Sequence, residues 1–389
     1  MEALRQILVV CALNFRGLHH RIWSSLVIVG GVGCVVAVLV SILSLTAGIA
    51  RSYAAGTGSE RAIVLAAGAM WDDASSLTHE AVNFARDVPG VKRAGDGSPL
   101  ADAQVVSSLP VSKKSGALEA TVMLRGLSAA GFRMHPNLRI VAGRMLRPGA
   151  GEVIVGVGAE RQFTGLALGS TIALQHGRWP IVGMFRSDGD LLEGEILADA
   201  DTLMPAIGRK DYNSVILDLA GPGALASLQR DVARSPQFKV RVERQSDYYA
   251  RTTRRFSGFF TAVAFGLGGL MAIGAVFGTV NTLHSAVSTR SREIATLRAL
   301  GFGAVAVAAS VILEALLLSL IGAVLGAATA WVFFNGDQKV LGTDVFNLSV
   351  TPGLVGIGVL WAVGIALIGA ALPSVRAARA EITVALRAV

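Results

Sequence analysis

Charged residues are scarce in this chain, because only 16% of its 389 residues are Asp, Glu, Lys or Arg. Hydrophobic residues make up 52%, and the mean hydropathy is +0.57. An ordinary soluble domain carries about 25% charged residues, so this composition excludes that class. It predicts a membrane protein.

Cysteine is also nearly absent, since Cys11 and Cys34 are the only two. On a helix they would lie about 35 Å apart, which excludes a disulfide between them. Residues 51–255 contain no cysteine. A domain formed by this segment must therefore be stabilised by a hydrophobic core rather than by disulfides.

Motifs typical of enzymes are missing from the chain. It contains no GxxxxGK[ST], HExxH or GxSxG sequence, which argues against a nucleotide-binding loop, a zinc protease centre and a nucleophile elbow. His79, His135 and His176 lack the spacing of metal ligands. We predict no catalytic residue, no metal site and no cofactor in this chain.

Two acidic pairs, Asp72/Asp73 and Asp188/Asp190, lie in loop-like segments. The second pair belongs to DGDLLEGE, which lacks the regular ligand alternation of a calcium-binding loop. We expect both pairs to be solvated and this segment to be an exposed acidic loop.

Four long segments are free or nearly free of charge, and only one of them contains a charged residue, Glu314. Each exceeds the roughly 20 residues with which a helix crosses the hydrocarbon core of a bilayer. A cleavable signal peptide competes as an interpretation of the first, but its hydrophobic region would have only about 7–15 residues. We predict transmembrane helices at residues 22–50, 256–284, 303–334 and 352–374.

Basic residues near the ends of these helices are distributed unevenly. One side carries nine arginines, which are Arg5, Arg16, Arg21, Arg290, Arg292, Arg298, Arg376, Arg379 and Arg387. The predicted short extracytoplasmic loop, residues 335–351, has only Lys339. Short loops rich in Lys and Arg remain in the cytoplasm, so we predict that the segments 1–21, 285–302 and 375–389 are cytoplasmic. Three arginines at the outer end of the second helix oppose this rule, but long domains are translocated largely regardless of charge.

The remaining segment, residues 51–255, is then an extracytoplasmic domain. Its 25 Lys and Arg stand against 21 Asp and Glu, so it has no strong basic excess and we predict no nucleic-acid partner. Its β-rich runs begin at Arg61, Glu119, Glu152, Ser170, Trp179, Ser214 and Phe238. A helical pattern of Leu225, Leu228 and Val232 separates the last two runs. These elements predict an α/β domain.

A short charged segment, TRSREIATLRALG (Thr289 to Gly301), separates the second and third predicted membrane helices. On a helix, Val287, Ile294, Leu297 and Gly301 would form a narrow apolar stripe. Periodicity alone leaves two interpretations open, a loop that anchors the membrane helices and a helix that docks on a partner.

The longer sequence from Asn281 to Trp331 resembles the signature of the FtsX/MacB family of ABC transporter permeases. In that family a charged element reading S/T-R-x-x-E-I-x-x-L-R-A-L-G joins two membrane helices, and a glutamate follows in the next helix. The order of one membrane helix, a large outer domain and three further membrane helices is also similar. So is the ending PSVRAARAEITVALRAV, Pro373 to Val389.

The resemblance implies that residues 285–302 form a coupling helix that docks on a cytoplasmic ATPase. The implied coupling residues are Arg290, Arg292, Glu293, Ile294, Leu297, Arg298 and Gly301. Because this chain has no phosphate-binding loop, the ATPase, with its ATP and Mg, must be a separate subunit in two copies.

The resemblance further implies a MacB-like periplasmic core domain, a homodimer and a location in the bacterial inner membrane. The implied mechanism is mechanotransmission, in which ATP hydrolysis inside the cell reshapes the outer domain and drives export of a substrate. A periplasmic adaptor and a TolC-like outer-membrane protein are the further partners that the family implies.

Polar and small residues within the predicted membrane helices are candidates for packing roles. A carboxylate such as Glu314 costs about 2.5–3.5 kcal/mol at the centre of a membrane helix, so we expect it to face a partner, water or the ATPase side. A structural hydrogen bond is favoured over proton coupling. Gly274/Gly278 and Gly322/Gly326 form small-xxx-small pairs that allow close helix approach, or else reflect ordinary glycine content.

Two other functions remain open at this point. One is a lipoprotein-extracting permease of the same superfamily, whose members usually work as unlike pairs. The other is an FtsX-type regulator of cell-wall hydrolases, which transports nothing. The outer domain is larger than those associated with such regulators, whereas the sequence does not separate export from extraction.

Overall fold

The computed structural model describes residues 22–55, 60–114, 119–335, 338–341 and 344–379. Its helices are α1 (Ile22–Ala55), α2 (His79–Asp87), α3 (Ala129–Met134), α4 (Val157–Gln162), α5 (Ala200–Ala206), α6 (Ala224–Ala233), α7 (Gln245–Thr289), α8 (Ser291–Ala299), α9 (Ala304–Phe334) and α10 (Pro352–Ala378). Its strands are β1 (Arg61–Ala66), β2 (Ala101–Ser112), β3 (Glu119–Leu127), β4 (Arg139–Gly143), β5 (Val153–Gly156), β6 (Thr171–Ala173), β7 (Arg178–Arg186), β8 (Ile196–Asp199), β9 (Ser214–Asp218), β10 (Val240–Arg244), β11 (Gln338–Leu341) and β12 (Asp344–Asn347).

The described residues divide into a helical unit and a sheet unit. The helical unit lies within Met1–Thr46, Gly258–Asp337 and Ser349–Val389, and the sheet unit within Ala47–Ser257 and Gln338–Leu348. Among the described residues, four helices are long and apolar enough to cross a membrane, namely Ser25–Ala55, α7, α9 and α10. The predicted fold class, an α/β domain inserted between the first two of four membrane helices, is confirmed.

The core of the helical unit is built from small and β-branched side chains. Val36, Ala315, Ala323 and Ala366 are fully buried there. Side chains of this size allow helix backbones to approach one another closely, which is how apolar helices associate when lipid removes the hydrophobic driving force.

Several helix boundaries differ from those expected from charge, since α1 ends at Ala55 rather than at 50 and α10 at Ala378 rather than at 374. Helix α7 begins at Gln245 rather than at 256 and continues to Thr289, because residues 245–255 and 285–289 contain no glycine or proline that would end it. The predicted coupling helix of 285–302 is therefore reduced to α8. The predicted cytoplasmic segment 1–21, and residues 380–389 of the predicted C-terminal tail, lie outside the described residues.

One large mixed sheet forms the sheet unit. Over the described strands the order is β10-β1-β9-β2-β3-β8-β5-β7-β4, with β6 paired to β7. Most neighbours are antiparallel, while β3 with β8 and β5 with β7 are parallel. The helices α2 to α6 lie between strands along the chain and cover the sheet, which is the α/β arrangement expected from the sequence.

Strand β1 shows why its sequence is almost continuously apolar. Ala62 and Val64 enter one hydrophobic cluster, whereas Ile63 and Leu65 enter another that includes Tyr248. Successive side chains of a strand point to opposite faces, so both faces of this strand are buried.

The predicted short loop of residues 335–351 contains a β-hairpin. Strands β11 and β12 pair antiparallel, with Val340 opposite Val345. This hairpin belongs to the sheet unit rather than to the helical unit.

Candidate functional site

Helix α8 is the charged helix between α7 and α9, and its end is defined by a glycine. Gly301 has φ of +94°, a conformation that glycine adopts without strain. The amide of Gly301 donates to the carbonyl of Arg298 at 3.1 Å, and that of Phe302 to the carbonyl of Leu297 at 3.1 Å. This pair of bonds is a Schellman motif, so the sequence itself terminates α8 here.

Helix α8 has one buried and one exposed face. Ile294 is 8% exposed and Ala295 is fully buried, and Ile294 belongs to the core of the helical unit. Arg292, Thr296 and Leu300, each four residues from the next, are exposed, and Leu300 is 73% exposed. The helix is therefore held on one side and presents a mixed basic and apolar stripe on the other.

Arg290, the residue that precedes α8, connects this helix to α9. Its Nε lies 3.0 Å from a carboxylate oxygen of Glu293 and its Nη1 lies 3.8 Å from one of Glu314. The Glu314 side chain is only 12% exposed. An acidic residue within an apolar helix is thus neutralised by an arginine from the neighbouring segment.

A small cavity adjoins this ion pair. It measures about 30 Å³ and is lined by residues of α7, α8 and α9, including Val287, Arg290, Leu297 and Glu314. A space of this size holds about two water molecules. The cavity is too small to bind a substrate. The candidate site in this region is therefore a surface, the exposed face of α8, which a partner protein could contact.

A second polar contact links the cytoplasmic ends predicted for α7 and α10. The guanidinium of Arg376 lies 2.9 Å from Nε2 of His284. Polar contacts therefore link α7 to α10 through His284 and Arg376, and the start of α8 to α9 through Arg290 and Glu314.

The predicted packing pairs, Gly274/Gly278 and Gly322/Gly326, differ in the atoms that surround them. A Cβ added to Gly322 would lie 2.6 Å from the carbonyl oxygen of Val29, and one added to Gly326 would approach that of Gly33 still more closely. A Cβ on Gly278 would meet only Val27, at 3.8 Å, and one on Gly274 would meet nothing within 4 Å. Of these two pairs, Gly322/Gly326 is the one that lies at a close helix approach, against α1.

A buried charge network occupies the sheet unit. Arg125 donates from Nε and Nη2 to the two carboxylate oxygens of Glu195, at 2.6 and 2.9 Å. It also donates from Nη1 to Gln104 at 2.9 Å and to Asp72 at 3.3 Å. Burial alone would lower the pKa of Arg125, but Glu195 and then Asp72 raise it well above its ordinary value.

The expectation of an exposed acidic loop at Asp188–Glu195 is wrong. Asp190 and Glu195 are buried, and Asp190 caps a 3-10 helix, Leu191–Gly194, by accepting from the amide of Glu193. Burial raises the pKa of Asp190 to about 6. The sequence did not reveal this because the partner of Glu195, Arg125, lies 70 residues earlier in the chain.

No cluster of three or more His, Cys, Asp or Glu suited to a metal ion occurs in the described part of the chain. The acidic residues of the network are instead satisfied by Arg125, by Ser187 and by backbone amides.

Two family models match this chain. The model described as FtsX-like permease C-terminal matches residues 265–382. The model described as MacB-like periplasmic core domain matches residues 24–235, which is more than half of the chain. The chain belongs to the FtsX/MacB family of permeases.

Solved structures similar to this FtsX/MacB-family permease come from the outer domains of two transporters. The periplasmic region of MacB from Actinobacillus actinomycetemcomitans is 15% identical with a TM-score of 0.37, and the match covers 51% of the permease and 94% of that chain. The extracellular domain of the noncanonic ABC-type transporter YknZ from Gram-positive bacteria is 16% identical with a TM-score of 0.36, and covers 47% and 99%. Among curated proteins, no significant match was found.

The structure of the permease brings part of the predicted coupling set together. Arg290, Glu293, Ile294 and Leu297 line the small cavity together with Glu314. Arg292 points to the exposed face, Arg298 lies in the last turn of α8, and Gly301 ends the helix. The coupling role of these residues stays a prediction.

Sequence reasoning missed two features of this site. Leu300 was not predicted as a surface residue, although its spacing of eight from Arg292 was a usable signal. The partner of Gly322 and Gly326 was also missed, although the VGGVG sequence at residues 29–33 marks a small-residue surface on α1.

Proposed function

We propose that this permease is the membrane subunit of an ABC transporter and that a separate ATPase docks on the exposed face of α8. The observation that carries the proposal is the two-faced character of this helix. One face is anchored by Ile294 and Ala295, while Arg292, Thr296 and Leu300 remain exposed. An exposed leucine beside a basic side chain is a surface that a protein partner can cover.

The ion pair of Arg290 supports a mechanical role for α8. A force applied to α8 by an ATPase reaches α9 through Arg290 and Glu314, because separating the poorly exposed carboxylate from the guanidinium costs free energy. Two of the boundaries between the structural units fall within α1 and within α7, and the other two lie on either side of the β11–β12 hairpin. In this proposal, these two helices pass the displacement from the membrane to the outer domain.

The remaining parts of the proposal follow from the family and from the distribution of arginine. The permease lies in a bacterial inner membrane with both termini in the cytoplasm and works as a homodimer with two ATPase subunits, which bind ATP and Mg. The outer domain then changes shape during the ATPase cycle and drives export, with a periplasmic adaptor and a TolC-like outer-membrane protein as further partners.

Affinity purification of the full-length permease from its native membranes tests the docking surface. We expect a P-loop ATPase, identified by its peptides and by ATP hydrolysis, to co-purify with the wild type. The double variant Arg292→Glu/Leu300→Asp should lose it, because charge reversal and a buried carboxylate both oppose docking. Arg230→Glu, a matched change of an exposed arginine on α6, should retain it.

The same purification distinguishes the alternatives. An adaptor and an outer-membrane protein in the eluate would support export, whereas a bound lipoprotein would support extraction. Equal ATPase recovery with the wild type and the double variant would contradict docking on α8.

A further inference from the structure

A cavity in the sheet unit concentrates most of the tyrosine in the chain. It measures about 250 Å³, and its lining includes Tyr53, Trp71, Tyr248 and Tyr249. The whole sequence contains only four tyrosines. Three of them therefore contribute to one cavity, which we call the tyrosine cavity.

The rings of the tyrosine cavity form a connected group. The ring centroids of Tyr53 and Tyr249 lie 5.2 Å apart, as do those of Tyr248 and Tyr249. The guanidinium of Arg251 already lies 5.8 Å from the centroid of Tyr248, so one of these rings contacts a cation within the protein itself. The face of an aromatic ring attracts cations, because its π electrons make it negative.

The charged groups that line the tyrosine cavity are predominantly acidic. Asp72, Asp73 and Glu195 are opposed by one guanidinium, that of Arg125, which is engaged by Glu195 and Asp72. The exposed carboxylate of Asp73 makes no hydrogen bond or ion pair with the described residues. The lining therefore attracts positive charge and offers one carboxylate that is not otherwise engaged.

A smaller chamber of about 30 Å³ continues from the tyrosine cavity, with which it shares Tyr53, Arg125, Leu191, Glu195 and Tyr249 as lining residues. Ser52 and Gln245 also line this chamber and are 2% and 4% exposed. Ser52 Oγ and Gln245 Oε1 have no hydrogen-bond partner among the described residues.

Buried polar atoms almost always have a partner, so these two atoms point to a bound group that donates hydrogen bonds. The volume of the chamber suits one or two groups of the size of water or ammonium. Both atoms can accept from an N–H, and Oε1 of an amide can only accept.

We propose that the tyrosine cavity binds an organic cation, namely a protonated primary amine carried on an apolar or aromatic body. The body packs on the rings of Tyr53, Trp71 and Tyr249. The ammonium is attracted by the negative charge of Asp72, Asp73 and Glu195, and its N–H groups are directed toward the acceptors of the smaller chamber. The proposal uses residues of the sheet unit only and does not depend on ATPase docking at α8.

Isothermal titration calorimetry on the full-length permease in detergent micelles tests this site with three probes of similar shape. They are 2-phenylethylammonium, the neutral 2-phenylethanol and the anionic 3-phenylpropanoate, and heats measured with empty micelles are subtracted. We expect the cation to bind about five- to tenfold more tightly than either other probe, the range that a cation–π contact plus one carboxylate provides.

Two variants locate the binding. Asp73→Asn and Tyr53→Leu should each weaken the cation about fivefold, since one removes a charge and the other an aromatic face. Asp87→Asn, a matched change at an exposed aspartate on α2, should leave binding unchanged. A variant that unfolds at the same temperature as the wild type is counted as folded. If Tyr53→Leu does not fold, the affinity of the folded Asp73→Asn variant decides the test.

Three outcomes would overturn the proposal. They are equal affinity for the three probes, no measurable binding of 2-phenylethylammonium, and wild-type affinity for it in the folded Asp73→Asn variant.

Discussion

The guanidinium of Arg290 lies 3.8 Å from the carboxylate of Glu314, which joins the residue before α8 to the interior of α9. A glutamate in an apolar helix was expected to face a partner, water or the ATPase side, and the structure places the guanidinium of Arg290 beside it. Because α8 contacts the core of the helical unit mainly through Ile294 and Ala295, this ion pair is a substantial part of its attachment.

Removing one charge of this ion pair should lower the free energy of unfolding more than removing both charges. Arg290→Met removes the arginine from the ion pair of the poorly exposed Glu314, so we expect a loss on the order of 3 kcal/mol in the free energy of unfolding. Adding Glu314→Gln should restore most of it, because no buried charge then remains. Thermal unfolding of the single and double variants in detergent measures this, and a double variant no more stable than Arg290→Met would contradict it.

Gly322 and Gly326 of α9 should tolerate substitution by alanine far less well than Gly274 and Gly278 of α7. Gly326→Ala places a Cβ against the carbonyl of Gly33, so we expect it to destabilise the helical unit by about 1–3 kcal/mol. Gly274→Ala, the matched control, meets no atom within 4 Å and should be neutral or slightly stabilising. Unfolding temperatures of the two variants check this, and equal effects would show that the α1–α9 contact is looser than described.

The buried carboxyl of Asp190 should make stability depend on pH. Burial raises the pKa of Asp190 to about 6, so the fold favours the neutral acid. The stability that the neutral carboxyl of Asp190 gives to the fold is fully present below the ordinary pKa of Asp. This stability is lost as the pH rises through about 6. Asp190→Asn cannot ionise, so its stability relative to the wild type should increase by about 2–3 kcal/mol between about pH 4 and pH 8.

Unfolding temperatures across this pH range measure the difference. Asp188→Asn is the control, because Asp188 is exposed and lies in the same loop. A difference between Asp190→Asn and the wild type that stays constant with pH would contradict the burial of an ionisable Asp190.

Much of the architecture could be predicted from local sequence. The four membrane helices follow from long uncharged segments, and strands such as β3, β7 and β9 follow from runs of β-branched residues. Strand β2 was missed because Pro110 and several polar residues interrupt its pattern, yet β3 and β9 supply its pairing. Pairing between distant strands overrides local propensity in such cases.

The candidate sites were predictable only in part, because they depend on contacts between distant residues. The composition of α8 was evident from the sequence, but its buried and exposed faces depend on how it packs against the helical core. The acidic segment at Asp188–Glu195 was misinterpreted because Arg125, which neutralises Glu195, lies on another strand. The tyrosine cavity likewise gathers residues from α1, α7 and the sheet.

Photocrosslinking from the exposed face of α8 tests ATPase docking most directly. Thr296→Cys, in a chain whose Cys11 and Cys34 are replaced by alanine, is labelled with benzophenone maleimide in inverted inner-membrane vesicles and irradiated. We predict an adduct that contains a P-loop ATPase, and no such adduct from the matched position in Arg230→Cys. Labelling of Thr296→Cys by an impermeant maleimide from outside intact cells, or an adduct without any ATPase, would contradict docking at this helix.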